Sequence, residues 1–286
     1  MPDAAVRIGK ECYDIFMAEI NRLKPRKRKQ WKSAEKYMRQ RDLYATRIDR
    51  DADTTDDDDF FLHSVDREKG MNGAKAEAQW NYEPSDEVVQ CNTLGWIRDI
   101  VVGLNLCPFA AHSLASDKLS VLVARGDDDE SVIASVLLEL ILRVETPGTT
   151  VVVAPECHPD NFLEYLEVAN CIESLMDEHD LTGDVQLATF HPSFEFGGSG
   201  PDGVDNYTNR SPYPMFHILR EEEVGAAVDK LNGDAGKVWR RNVTLMELME
   251  DRLGRQGVAD VMACNPKGKK DAMEQILRDI KEVENY

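Results

Sequence analysis

The chain has 286 residues, 42% of them hydrophobic, and a formal net charge of −19. That length suits one or two domains with a buried core, and the charge argues against general binding of the main domain to nucleic acid or anionic membrane. No apolar run approaches the ~20 residues of a membrane span, the N-terminus MPDAAVRIGKECYDIF lacks an apolar signal segment, and six scattered cysteines without a CxxC pair point to a reducing, cytoplasmic location.

Tyr13, Phe16, Met17, Ile20 and Leu23 recur at helical spacing, so residues 4–23 read as an amphipathic helix. KPRKRKQWK (24–32) is a basic cluster suited to nucleic acid or an acidic partner, and nuclear entry through 24–29 stays open. A polyampholyte helix is expected from about Gln30 to Ile48, making residues 1–48 a charged helical arm. Residues 1–50 hold fourteen Lys or Arg against seven Asp or Glu, and residues 51–90 hold three against twelve. Residues 49–83 read as an acidic flexible linker.

A compact domain is expected over 84–254. Ser85 or Asp86 caps a helix running to Val102, and Gly103 stops it. LNLCPFAAH follows, then a strand over Lys118–Ala124. Asp127 and Glu130 resemble a capping box for a helix over 128–145, whose stripe is Val132, Val136, Leu137, Leu140 and Val144. Pro147-Gly148 turns into the strand Thr149–Ala154. Asn161 with Glu164 starts a helix that runs to about Glu178, and Asp160 is a second cap candidate. A third strand covers Val185–Phe190. A polar insertion, 191–214, leads to the strand Met215–Leu219 and to helices over 221–231 and 238–253. Residues 255–286 form a tail, loose to about 270 and then helical through Met273, Ile276, Leu277 and Ile280.

Strands alternating with helices predict an α/β fold, with a two-layer α+β arrangement as the alternative. About four strands form a mixed sheet packed with helices, and the VVVA run is its central strand. No GxGxxG follows a strand and GxxxxGK[ST] is absent.

Several strings then match a family together: WIRDIVVGLNLCPFA (96–110), ATFHPSFEFGG (188–198), DNYTNRSPYPMFHILRE (205–221) and RRNV (240–243). They resemble the domain-of-unknown-function family 1415 over about residues 88–254. The resemblance implies one shared domain, a largely bacterial family and a reducing cytosol. It implies no activity and no cofactor.

The chemistry must come from the residues. Cys107 before Pro108 is placed to cap a short helix, where the helix dipole favours a thiolate and a nucleophilic role; a small buried hydrophobe is the other reading. His191 follows a strand directly, where open α/β sheets place ligands, and is suited to proton transfer or to holding a loop carbonyl. His217 alternates with Met215 and Leu219, so a sheet-packed histidine is the first reading. With His191 and either Cys107 or Glu195 it also makes a weak zinc set, without HxH or HExxH spacing. Asn206, Tyr207, Asn209, Arg210, Ser211, Tyr213, Arg220 and Arg241 supply guanidinium groups, amides and aromatic walls for a phosphate or carboxylate. The same side chains also suit bonding their own loop. Cys157-His158-Pro159-Asp160 is a secondary candidate. Three readings follow: a small-anion site with possible enzymatic chemistry, a metal-binding domain, and a non-catalytic protein-interaction module.

Overall fold

The computed structural model describes residues 45–47, 84–126, 128–229, 234, 236–263 and 270–284. The expected arm helices, the basic cluster and the acidic linker lie outside the described residues, apart from Ala45–Arg47. Those three residues form a short strand, β1, where the end of a helix was expected.

Four apolar runs make the main strands: β2 (Leu119–Ala124), β3 (Thr149–Val153), β4 (Val185–Phe190) and β5 (Met215–Arg220). The order is β1-β2-β3-β5-β4. β2 and β3 are parallel, whereas β5 runs antiparallel to β3 and to β4, and β1 is an antiparallel edge. All of β3 is buried, as an uninterrupted apolar strand covered on both faces requires.

Local sequence sets the helix starts. α1 (Asp86–Trp96) begins at Ser85, whose hydroxyl accepts the Val88 N–H. It continues as a π-helical segment, Ile97–Val102, before the short α2 (Ala110–Ala115). α3 (Asp129–Glu145) is capped by Asp128, one residue beyond the expected Asp127, through the Ser131 N–H at 2.7 Å. α4 (Phe162–Glu178) is capped by Asn161 rather than Asp160. α5 (Glu221–Asp229), α6 (Gly236–Met262) and α7 (Lys270–Glu284) follow. Gly254, at φ 69° and ψ 168°, breaks α6 into two segments at an angle only glycine tolerates. Residues 255–262, expected to be loose, are helical on its far side.

Alternation along β3 divides the core. Val152 and Ala154 join Leu137 and Ile141 of α3 and Tyr165 and Ile172 of α4. Val151 and Val153 face the other way, onto Trp96, Ile100, Leu245 and Met249. Met273, Ile276 and Ile280 of α7 enter the same second cluster. Burying these three stabilises the docked α7 by roughly 2 kcal/mol each before the ordering entropy is subtracted. Helices therefore cover both faces, giving an α/β fold of three layers rather than the two-layer alternative.

The register positions the insertion. Val153, Phe190 and Met215 lie side by side, so β3 and β4 end, and β5 begins, at one edge of the sheet. Residues 191–214 leave and return there. β5 then runs away from that edge to Arg220, which pairs with Val185 at the start of β4. Five residue steps of about 3.3 Å put Arg220 roughly 16 Å from Met215.

Candidate functional site

A connection of this length carries many backbone N–H and C=O groups that must find partners. Its own polar side chains meet most of that demand. Asn206 is fully buried; its Oδ1 accepts the Phe196 N–H at 2.8 Å and its Nδ2 donates to the Gly200 carbonyl at 2.7 Å. Asn209 donates to the Thr189 carbonyl, while its own carbonyl accepts the His191 N–H. Ser211 donates to the Tyr213 carbonyl at 2.6 Å. Arg210 donates from Nε to the Phe194 carbonyl at 3.3 Å and from Nη2 to the Pro201 carbonyl at 2.8 Å. Its guanidinium carbon lies 4.6 Å from the centre of the Tyr207 ring. Tyr213 accepts from Asn92 of α1 at 2.9 Å. A 3-10 turn, Val204–Thr208, packs against α6, and Arg255 of α6 approaches Asp202 at 3.8 Å.

His191 is fully buried against Phe162 and Tyr165, with ring centres 5.3 and 5.0 Å apart. Its Nε2–H donates to the His158 carbonyl at 3.0 Å, and its Nδ1 accepts the Ser193 N–H at 3.0 Å. This network assigns a neutral ring in one tautomer. Burial pushes the pKa down, against the smaller upward pull of the His158 carbonyl. With both nitrogens engaged, the ring supports the loop and holds no free position for proton transfer.

The remaining candidates are dispersed. His217 lies in the middle of β5, on the face it shares with Met215, 6.3 Å from the Phe190 ring. His191 is on the opposite face, against the α3–α4 cluster. Thr149 Oγ1 donates to the Ile218 carbonyl, so it accepts from His217 Nε2 at 2.7 Å. Burial pushes the His217 pKa down to about 4. Arg220 stands at the far edge of the sheet from Arg210, and its Nη2 meets Glu222 at 3.3 Å. Cys107 is not a helix cap: α2 starts at Ala110 with Phe109 in the cap position, and the Cys107 carbonyl accepts the Ala110 N–H. Its neighbours Leu104 and Leu106 pack into the α1–α6 layer, across the sheet from the His191 ring. Arg241 and Asn242 of α6 brace that loop. Arg241 donates to the Leu104 carbonyl at 2.7 Å, and Asn242 to the Leu106 carbonyl at 2.8 Å. Among the described residues no group of three His, Cys, Asp or Glu side chains is placed to hold a metal ion. No described helix is long and apolar enough to cross a membrane.

A different constellation occupies the end of the sheet. Arg125, just past β2, bonds Asp86 at 2.7 Å, Glu156 and the Pro84 carbonyl. After β3, Cys157 is buried, and desolvation followed by the charge of Asp129 pushes its thiol up to about 12. His158 meets Asp129 and Glu164. Beyond it, α4 turns Glu164, Glu167, Glu173, Asp177 and Glu178 to solvent, with Leu163 73% exposed at its start. The carboxyl of Glu173 is pushed up by desolvation and then by Asp177. Residues 144–209 contain thirteen Asp or Glu and no Lys or Arg. The signal is legible in the sequence as a missing residue type rather than as a motif.

No curated protein and no solved structure matches the chain. Residues 88–256 match the family described as "Protein of unknown function (DUF1415)". That span holds α1 to the kink in α6, including both the LNLCPFA loop and the 191–214 connection that α6 braces, and the chain belongs to this family.

Proposed function

We propose that the domain is a non-catalytic interaction module that presents the acidic outer face of α4, with exposed Leu163 at its start, to a basic protein or peptide. The observation that carries this is the set of exposed carboxylates on α4, within a 66-residue stretch, 144–209, that is free of Lys and Arg. Such a field accelerates encounter with a cationic partner and makes binding salt-dependent. Leu163 adds a contact that excludes water, as interface cores require. The neighbouring 191–214 connection suits a fixed epitope because its donors and acceptors close on one another.

A small-anion site, the first expectation from the sequence, needs guanidinium groups facing an opening. Arg210 is turned onto carbonyls and the Tyr207 ring, Arg241 onto the 104–106 loop, and Arg220 is at the other edge of the sheet. The dispersed histidines likewise favour neither the metal set nor a Cys107–His191 pair.

The test screens an array of basic peptides against the full chain and against E167K/E173K/D177K. A second variant, E247K/D251K, reverses exposed charges on α6 as a control. Peptides selected by the wild type should lose about tenfold or more in affinity with the α4 variant, the equivalent of ~1.4 kcal/mol, and much less with the control. Losses from the two variants in proportion to the three and two charges they reverse would reduce the effect to net charge and sink the proposal.

A further inference from the structure

One edge of the sheet is left uncovered by the described residues. β1 lies on the β2 side, whereas β4 pairs with β5 alone. The register fixes which backbone groups of β4 face outward. The Asp184 carbonyl accepts the Glu221 N–H, and the same alternation turns the groups of Gln186, Ala188 and Phe190 towards β5. Those of Val185, Leu187 and Thr189 therefore face away from β5. Two bonds made on that side agree: the Val185 N–H donates to the Leu181 carbonyl, and Asn209 donates to the Thr189 carbonyl. Leu181 and Asn209 close the two ends of the edge. Between them, the Val185 carbonyl, both groups of Leu187 and the Thr189 N–H meet no partner among the described residues. A strand laid opposite Leu187 uses all four. Sheet edges commonly carry a charge, a proline or a bulge that deters such pairing. β4 reads VQLATF in regular register and carries none of these.

The neighbouring helix decides what fits there. Val185 and Leu187 turn onto the α3–α4 cluster, and Phe190 onto the other face. The Phe162 ring of α4 packs 5.0 Å from that of Phe194, just past the end of β4. Asp177 of α4 accepts the Thr182 hydroxyl at 2.5 Å, just before the start of β4. One flank of α4 therefore runs along β4, and helical spacing continues it through Leu166, Asn170 and Glu173. Glu164 is on the other flank, 2.9 Å from the His158 ring that meets Asp129 of α3. Glu173 and Asp177 are exposed. In an added strand, the residues that bond Leu187 and its neighbours turn their side chains to the same face as Leu187, beside these two carboxylates. A second copy of this chain would bring the same carboxylates together, each molecule carrying a net charge of −19. Lys or Arg at alternate positions answers them instead.

We propose that the free edge of β4 takes up an extended segment of a basic partner as a further strand of the sheet, with Lys or Arg at alternate positions facing Glu173 and Asp177. The basic character of the occupant rests on the acidic-face reading above; the pairing with β4 goes beyond it. The test uses the full chain and a synthetic heptapeptide that alternates lysine with valine, followed by residue-resolved amide hydrogen exchange. With peptide at about ten times its Kd, exchange of the Leu187 and Thr189 amides should slow about tenfold, since only the free fraction exchanges. The Gln186 and Ala188 amides, already turned to β5, should not change. N-methylating the central lysine amides should weaken binding about tenfold, whereas N-methylating the valine amides, which turn away from β4, should not. Glu173→Gln/Asp177→Asn, isosteric and on the surface, should weaken it about fivefold. If basic peptides bind the α4 face but leave the Leu187 and Thr189 amides unprotected, or tolerate N-methylation at every position, strand addition is overturned and the acidic-face reading stands. If no basic peptide binds, both fall. Leu187 and Thr189 amides that are protected without peptide also overturn the proposal, in favour of a second copy where protection rises with protein concentration and of another segment of this chain where it does not.

Discussion

Arg210→Ala separates a residue that waits for an anion from one that braces a loop. The side chain makes two hydrogen bonds to carbonyls, one at 2.8 Å in an exposed setting and one at 3.3 Å partly buried, and covers the Tyr207 ring at 4.6 Å. The exposed bond contributes a fraction of the usual charge-assisted value, the longer one a similar amount, and the ring contact about 0.5–1 kcal/mol. Their loss should total about 2 kcal/mol. For a domain of this size that is a fall of roughly 4–8 °C in Tm. The assay is urea unfolding of the full chain followed by tryptophan fluorescence, with thermal melting as a second probe. Arg210→Lys keeps the charge but supplies a single ammonium group, and should recover less than half of the loss. An arginine held for a ligand usually contributes little to the empty fold, or destabilises it. Unchanged or raised stability in Arg210→Ala would refute the brace and return Arg210 to the anion site.

Asn206→Ala should be more damaging, because it strands a partly buried Phe196 N–H and the Gly200 carbonyl together. A loss of about 3 kcal/mol is expected, accompanied by faster exchange of the Phe196 amide; a change below about 1 kcal/mol would show that water replaces the side chain. His217 gives a pH signature. Its folded pKa, about 4, lies below the ordinary imidazole value of 6.5, so the unfolded chain binds more protons between these values. Its contribution is present above about pH 6.5 and is lost as pH falls towards 4, by on the order of 2–3 kcal/mol. His217→Gln, which preserves a donor towards Thr149, should flatten that slope in denaturation curves taken across the window. An unaltered slope would place the titration elsewhere, and His191, shifted the same way, is the first alternative.

Much of the fold was readable because its signals are local. The apolar runs at 119–124, 149–153 and 185–190 have one solution as strands, and Ser85 and Asn161 mark their helices through side chains that reach the third residue on. The continuous VVV run announced a strand covered on both faces. The boundaries that moved did so where local cues compete. Asp127 and Asp128 are equally good caps by composition, and Gly254 ends a helical segment without ending α6. Residues 255–262 resume the helix because Val258, Val261 and Met262 reach the core, a gain that spacing alone did not reveal.

The site was harder for a physical reason. A polar side chain between two strands has the same composition whether it points outward to a ligand or inward to the backbone. In 191–214 the backbone wins, because a connection this long that packs its Phe194 and Asn206 out of water must satisfy its own amides before it can serve anything else. Side chains spent in this way are poor receptors, and those of Asn206, Asn209, Arg210 and Ser211 are spent on the loop itself. What remains open to a partner is then defined by subtraction. Across the same part of the chain the charged groups left in solvent are carboxylates, and residues 144–209 hold no Lys or Arg. Under the proposed reading a basic partner meets these carboxylates while the self-bonded connection beside α4 keeps its shape.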